Sequence, residues 1–175
     1  VIKCGFIRDT SILELLQGKS LVDVRKNRAL IEYLVMKAIR VKADVVSRDF
    51  KESSEREILN YGHTLGHAIE KSSGYSLRHG ECVSIGMVFA AEIAYSRGLI
   101  GEDVLALHRS LLSAMNLPIT YPAQKWSELE PLLYSDKKTR GSVLRFVVLT
   151  GIAATSRVEG ITSDELSSIY EKVSS

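Results

Sequence analysis

Residues 56–70 read REILNYGHTLGHAIE and place two of the chain's four histidines, His63 and His67, four residues apart. On an α-helix, where successive residues turn by about 100°, that spacing puts both imidazoles on one face. Followed outward at the same period, Glu52, Arg56, Asn60, His63 and His67 are separated by four, four, three and four residues and form a single stripe. Ile58, Leu65, Ala68 and Ile69 fall on roughly the opposite side. The stretch therefore predicts a helix capped by Ser53 or Ser54 and stopped at Gly74, with one face on a core. Its other face gathers a carboxylate, a guanidinium, an amide and two imidazoles. Solvated faces are usually Lys and Glu, so this mixture is chemically different. Three readings are open: a zinc-binding helix, a pair of catalytic bases, or polar side chains beside a core. An i, i+4 histidine pair can converge on one metal ion. Thr64 follows His63, however, so the stretch is not the H-E-x-x-H pattern. His79, in LRHGE, adds a third imidazole in an expected short loop. Together with Glu52, Arg56 and Asn60 it favours a catalytic or metal site over isolated histidines. Gly62 and Gly66 each cost about 1 kcal/mol in a helix interior relative to Ala, and so predict close approach of a ligand or a neighbouring helix.

The period stays helical on both sides of this stretch. SILELLQG predicts a short helix closed by Gly18. Leu30, Ile31, Leu34, Val35, Ala38 and Ile39 give residues 20–49 the pattern of one amphipathic helix. GECVSIGMVFAAEIAYSRG is apolar nearly all round and predicts a central, buried helix. EDVLALHRSLLSAMNLP predicts another amphipathic helix, ended by Asn116 and Pro118, and WSELEPLLYSD a short one with Pro131 early in it. The period then changes. VLRFVVLT is rich in β-branched residues and reads as a strand, ATSRVEG as its partner, and TSDELSSIYEKV as a closing helix capped by Thr162 or Ser163. The expected fold class is mainly α, one helical domain over residues 1–175 with a small β-hairpin.

Length and composition agree with a single domain: 175 residues, 45% hydrophobic and 25% charged. A formal net charge of +2, with Lys and Arg scattered, argues against a nucleic-acid partner. The longest apolar run is interrupted by Glu92 and is too short to span a bilayer, so no membrane partner is expected. Cys4 and Cys82 lie far apart without a CxxC, which fits a reducing cytoplasm better than a disulfide framework. No signal-peptide pattern opens the chain. It begins VIKCGFIRD, without Met and as though in mid-element, so an excised domain is expected. No phosphate-cradling glycine loop is present.

The residues KADVVSRDFKESSEREILNYGHTLGHAIEKSSGYSLRHGECVSIGM closely resemble the core of the 3-dehydroquinate synthase family of sugar-phosphate cyclases. The opening VIK, the DKK at residues 136–138 and VLRFVVLTGIA extend the resemblance to nearly the whole chain. It implies the C-terminal, helical metal- and substrate-binding half of a two-domain fold, whose other half is an α/β domain that binds NAD. The implied reaction converts 3-deoxy-D-arabino-heptulosonate 7-phosphate to 3-dehydroquinate and phosphate in the shikimate pathway. The implied cofactors are Zn2+ (or Co2+) and NAD, the latter held mainly by that other half, and the implied assembly is a cytoplasmic homodimer. By the same resemblance His63 and His79 are metal ligands, with a third, a glutamate, expected immediately before Val1. Glu52 and His67 are the proton-transfer residues. Lys3, Lys42, Arg56 and Asn60 bind substrate, as does Lys137 or Lys138.

Read without the resemblance, Lys3 and Lys42 are ordinary surface lysines, and Lys137 and Lys138 beside Arg140 a solvated turn. His108 matches nothing in the motif and is expected at the surface. Cys4 and Cys82 are packing residues. Glu70 and Glu81 border the motif; Glu81 could support His79 or simply compensate a helix N-terminus. Two rival functions remain: a related cyclase acting on another sugar phosphate, and a non-catalytic helical interaction module.

Overall fold

In the computed structural model the described residues are 1–48, 54–138 and 143–175, with the backbone alone described for 54, 55 and 135–138. Four helices open the chain: α1 (Ile2–Ile7), α2 (Ser11–Leu16), α3 (Leu21–Lys26) and α4 (Arg28–Arg48). A 3-10 segment (Ser54–Asn60) leads into α5 (His63–Ser72), followed by α6 (His79–Ser96), α7 (Glu102–Ala114) and α8 (Trp126–Lys138). Strands β1 (Arg145–Gly151) and β2 (Ala154–Glu159) form an antiparallel hairpin, and α9 (Ser163–Glu171) closes the chain. The mainly helical reading with one hairpin holds. Among the described residues no helix is long and apolar enough to cross a membrane.

The centre is α6. Every residue from Cys82 to Ala94 is buried, as its all-round apolar sequence requires. The one carboxylate in that run, Glu92, is 4% exposed. It meets the Arg109 guanidinium at 2.7 Å and the Lys172 ammonium at 3.9 Å, which is how a buried charge is tolerated. Arg109 also donates to the Lys172 carbonyl at 2.8 Å, tying α7 to the end of α9. β1 lays Phe146, Val147, Val148 and Leu149 into the same core. The cap of α9 is Thr162, whose hydroxyl accepts from Glu165 N, as expected.

Glycines set how close α5 comes to α6. A Cβ built on Gly86 would lie 1.9 Å from the Gly62 carbonyl oxygen, and one on Gly66 would lie 3.2 Å from Val83 Cα. The expected close approach is therefore that of a helix, not of a ligand.

Four expectations about the helices need correction. Residues 20–49 do not form one helix: Asn27 leaves helical geometry (φ −113°, ψ 88°) and its Oδ1 accepts from Leu30 N at 3.0 Å, capping α4. The face of α4 that packs inward uses Leu34, Val41 and Val45, while Ile31, Val35 and Ile39 are exposed. The histidine helix is also broken. Ser54–Asn60 is 3-10, and Gly62 takes a left-handed φ of 78° before α5 begins. Since a 3-10 helix turns about 120° per residue, Arg56 and Asn60 do not share one stripe with His63. His79 is the first residue of α6, not part of a loop.

His108, expected at the surface, is fully buried. Its ring stacks on Phe6 (centroids 3.6 Å apart, planes 12° apart), its Nδ1 lies 2.7 Å from the Val104 carbonyl and its Nε2 lies 2.8 Å from the Tyr61 hydroxyl. Burial pushes its pKa down to about 4, with the hydrogen bond to the Val104 carbonyl opposing the shift.

Two measurements check this account. Gly86→Ala should destabilise the chain by about 3 kcal/mol, whereas Gly80→Ala, whose Cβ meets nothing within 4 Å, should be neutral or mildly stabilising; chemical denaturation separates them. His108 binds its proton more readily unfolded, near pH 6.5, than folded, near 4. Between those values the unfolded state holds more protons, so stability should fall on acidification, by up to about 3 kcal/mol. In His108→Gln that part of the pH profile should be missing.

Candidate metal and substrate site

The left-handed Gly62 lets the chain turn from the 3-10 segment into α5 so that His63 opens the helix. His67 follows one turn on, and Glu70 three residues later on the same side. Because the glycines let α6 approach, His79 at its start meets them. The ring centroids are 5.0 Å apart for His63 and His67, 5.2 Å for His63 and His79, and 6.0 Å for His67 and His79. Lys3, from α1, completes the group. Its Nζ donates to the Leu59 carbonyl at 2.7 Å and lies 2.7 Å from His63 Nε2.

Electrostatics follow from depth. His63 is half-buried; burial, then the neighbouring Lys3, His67 and His79, depress its pKa to about 3, so the ring is neutral at ordinary pH. Burial also lowers Lys3 to about 8, with Cys4 opposing the shift and Lys42 adding to it. Lys42 is thus within electrostatic range of Lys3. A neutral His63 with Lys3 Nζ against Nε2 offers that nitrogen's lone pair to a cation. The ammonium therefore stands where a divalent ion would find one donor.

The donor set around it also fits a metal. His79 Nδ1 is 2.8 Å from Glu70 Oε1, which fixes the ring with Nδ1–H toward the carboxylate and leaves Nε2 free to coordinate. His67 Nε2 lies 4.0 Å from Glu70 Oε2. One ligand atom each from His67, Glu70 and His79 can be chosen so that all lie within 4.8 Å of one another. Imidazoles and a carboxylate are the ligands of zinc and of similar divalent ions.

Of the residues singled out in the sequence, the fold gathers Lys3, His63, His67 and His79, with Lys42 near Lys3. Arg56 and Asn60 are exposed on the 3-10 segment whose Leu59 carbonyl holds Lys3. Glu52 lies outside the described residues, as do the side chains of Lys137 and Lys138. Glu81 accepts from Arg78 N at 2.7 Å and so caps α6. Glu70 is the residue whose part in the cluster the sequence reading left out. Its spacing of three from His67 was the available signal.

A family model described as 3-dehydroquinate synthase C-terminal matches residues 1–139. The chain belongs to that family. It is 48% identical over 174 residues to a 3-dehydroquinate synthase of Thermobifida fusca, covering 99% of this chain and 47% of that protein. With the 3-dehydroquinate synthase of Arthrobacter sp. strain FB24 it shares 47% identity over 175 residues, 100% of this chain and 48% of the relative. The chain thus spans about half the length of these curated relatives. Two solved structures share the fold. A 2-epi-5-epi-valiolone synthase from Streptomyces hygroscopicus, with NAD+ and Zn2+ bound, superposes with a TM-score of 0.85 at 22% identity over 98% of this chain and 48% of its own. A 2-deoxy-scyllo-inosose synthase complexed with carbaglucose-6-phosphate, NAD+ and Co2+ gives a TM-score of 0.72 at 22% identity, covering 98% of this chain and 51% of its own.

Glu70→Gln should weaken Zn2+ or Co2+ binding by about 10–100-fold, read by competition with a chromophoric chelator. Unchanged affinity would remove Glu70 from the site.

Proposed function

We propose that this chain is the metal- and substrate-binding half of a zinc- and NAD-dependent 3-dehydroquinate synthase. It would act on 3-deoxy-D-arabino-heptulosonate 7-phosphate to give 3-dehydroquinate and phosphate. The observation that carries this reading is the convergence of His63, His67 and His79 with the Lys3 ammonium against them. It occurs in a chain 48% identical to a relative of that name. A cytoplasmic, homodimeric setting belongs to the same reading. The 22% identity to cyclases of other products carries the fold alone, whereas the closer resemblance favours the synthase over them.

His63 and His79 are the proposed metal ligands, and Glu70 orients His79. When bound, the metal would supply Lewis acidity at a substrate hydroxyl and NAD a reversible hydride acceptor. The remaining work falls to the chain's own side chains. Lys3, Lys42 and Arg56 offer cations to a substrate that carries a carboxylate and a phosphate, and Lys137 or Lys138 adds another for the phosphate. Asn60 can donate to hydroxyls. His67 is exposed, where an imidazole can pass a proton to or from a substrate, with Glu52 as the second acceptor. Lys3, with its pKa near 8, changes charge easily as its surroundings fill.

The test is phosphate release from the heptulosonate phosphate by the native protein with NAD+ and Zn2+. His67→Ala should keep its metal and lose roughly 10²–10⁴ in kcat, while His63→Ala and His79→Ala should lose the metal itself. A wild-type protein that releases no phosphate sinks the reading.

A further inference from the structure

His108 does no work in the reaction proposed above, yet it is a fully buried histidine in an apolar core. Its contacts run to both elements that bring Lys3 and His63 together. Phe6, stacked on its ring, belongs to α1 and lies one turn beyond Lys3. Tyr61, fully buried, is the residue just before Gly62 and two before His63.

The hydrogen bonds define the state of the ring. The Val104 carbonyl can only accept, so Nδ1, 2.7 Å away, carries the proton. In the neutral imidazole Nε2 is then an acceptor, and the Tyr61 hydroxyl at 2.8 Å donates to it. The Met87 carbonyl, 3.3 Å from the same hydroxyl, is the longer alternative. A buried tyrosine hydroxyl without a partner is costly. The turn at 61–62 is thus pinned through one hydroxyl to α7.

We infer that His108 is a positioning residue for the candidate metal site. Its Nε2 holds Tyr61 and thereby the turn that aims His63, and its ring face holds Phe6 and thereby the helix that carries Lys3. The inference rests on the metal reading given above, but its geometry stands without any metal bound. His63 ends up with Nε2 facing Lys3 because two elements distant in sequence are clamped on one imidazole, the first at its ring face and the second at its Nε2 edge.

The test compares Tyr61→Phe, His108→Phe and His108→Gln with Tyr170→Phe. The last removes another tyrosine hydroxyl's bond, to the Pro122 carbonyl at 2.9 Å, which involves neither α1 nor the turn before His63. Two quantities are read well below the melting temperature: Co2+ affinity with its visible spectrum, and the imidazole 15N shifts of His63 without metal. Tyr61→Phe and His108→Phe should each weaken Co2+ binding about tenfold and move the His63 shifts, and the double variant should do no more than either. His108→Gln, which keeps an acceptor, should recover part of both, and Tyr170→Phe should change neither. If the Tyr61 and His108 variants lower only the melting temperature, or if Tyr170→Phe moves the site equally, the inference is overturned. A wild-type chain that takes up no Co2+ would overturn the metal reading alone, because the His63 shifts still decide the positioning role.

Discussion

The 1.9 Å that would separate a Cβ at position 86 from the Gly62 carbonyl sets the spacing on which the rest depends. With hydrogen in place of that methyl, α5 lies directly on α6, and the start of α6 runs past α5 so that His79 reaches Glu70. His63 and His67 then face His79 across a gap of ring dimensions, although twelve residues separate His67 from His79. At the same contact Gly62 is left-handed, and it turns the chain from the 3-10 segment, which ends at Asn60, into the helix that His63 opens. One steric allowance thus joins core packing to chemistry.

Much of this was legible in the sequence. The all-round apolar run predicted the central helix, the change to β-branched residues predicted the hairpin, and the paired glycines predicted a close approach. The failures share one physical cause: helical period alone cannot detect a change of direction. Asn27 fits a helix by period but caps one through its side chain. Residues 54–60 continue the period of α5 in sequence and yet wind more tightly. His108 looked like a surface residue because it has no partner in sequence and matches nothing in the motif; its partners, Tyr61 and Phe6, come from elements far away along the chain. Glu70 was visible but weighed lightly, since its partner His79 lies on another helix.

The site's electrostatics are set by its lying half in the core. Burial keeps His63 neutral and lowers Lys3 to about 8, so an imidazole lone pair faces an ammonium at 2.7 Å. Around this pair, His67 and His79 remain exposed. The inner half of the cluster is therefore held by its packing, and its outer half is open to solvent.

The family match ends at residue 139, but the folding unit does not. Phe146, Val148 and Leu149 from β1, and Leu166 and Tyr170 from α9, are among its most buried side chains. Ala153 N donates to the Phe6 carbonyl, so the hairpin is stitched to the first helix of the chain. Glu92 shares the Arg109 guanidinium with the carbonyl of Lys172. A boundary drawn at residue 139 would unroof α6 and remove the Lys172 ammonium and carbonyl, leaving Arg109 alone to hold the Glu92 carboxylate. Residues 143–175 lie beyond the family model, yet they form the lid of the core, and the alignments with the 3-dehydroquinate synthases run through them, so the edge of a family model is not the edge of the folding unit.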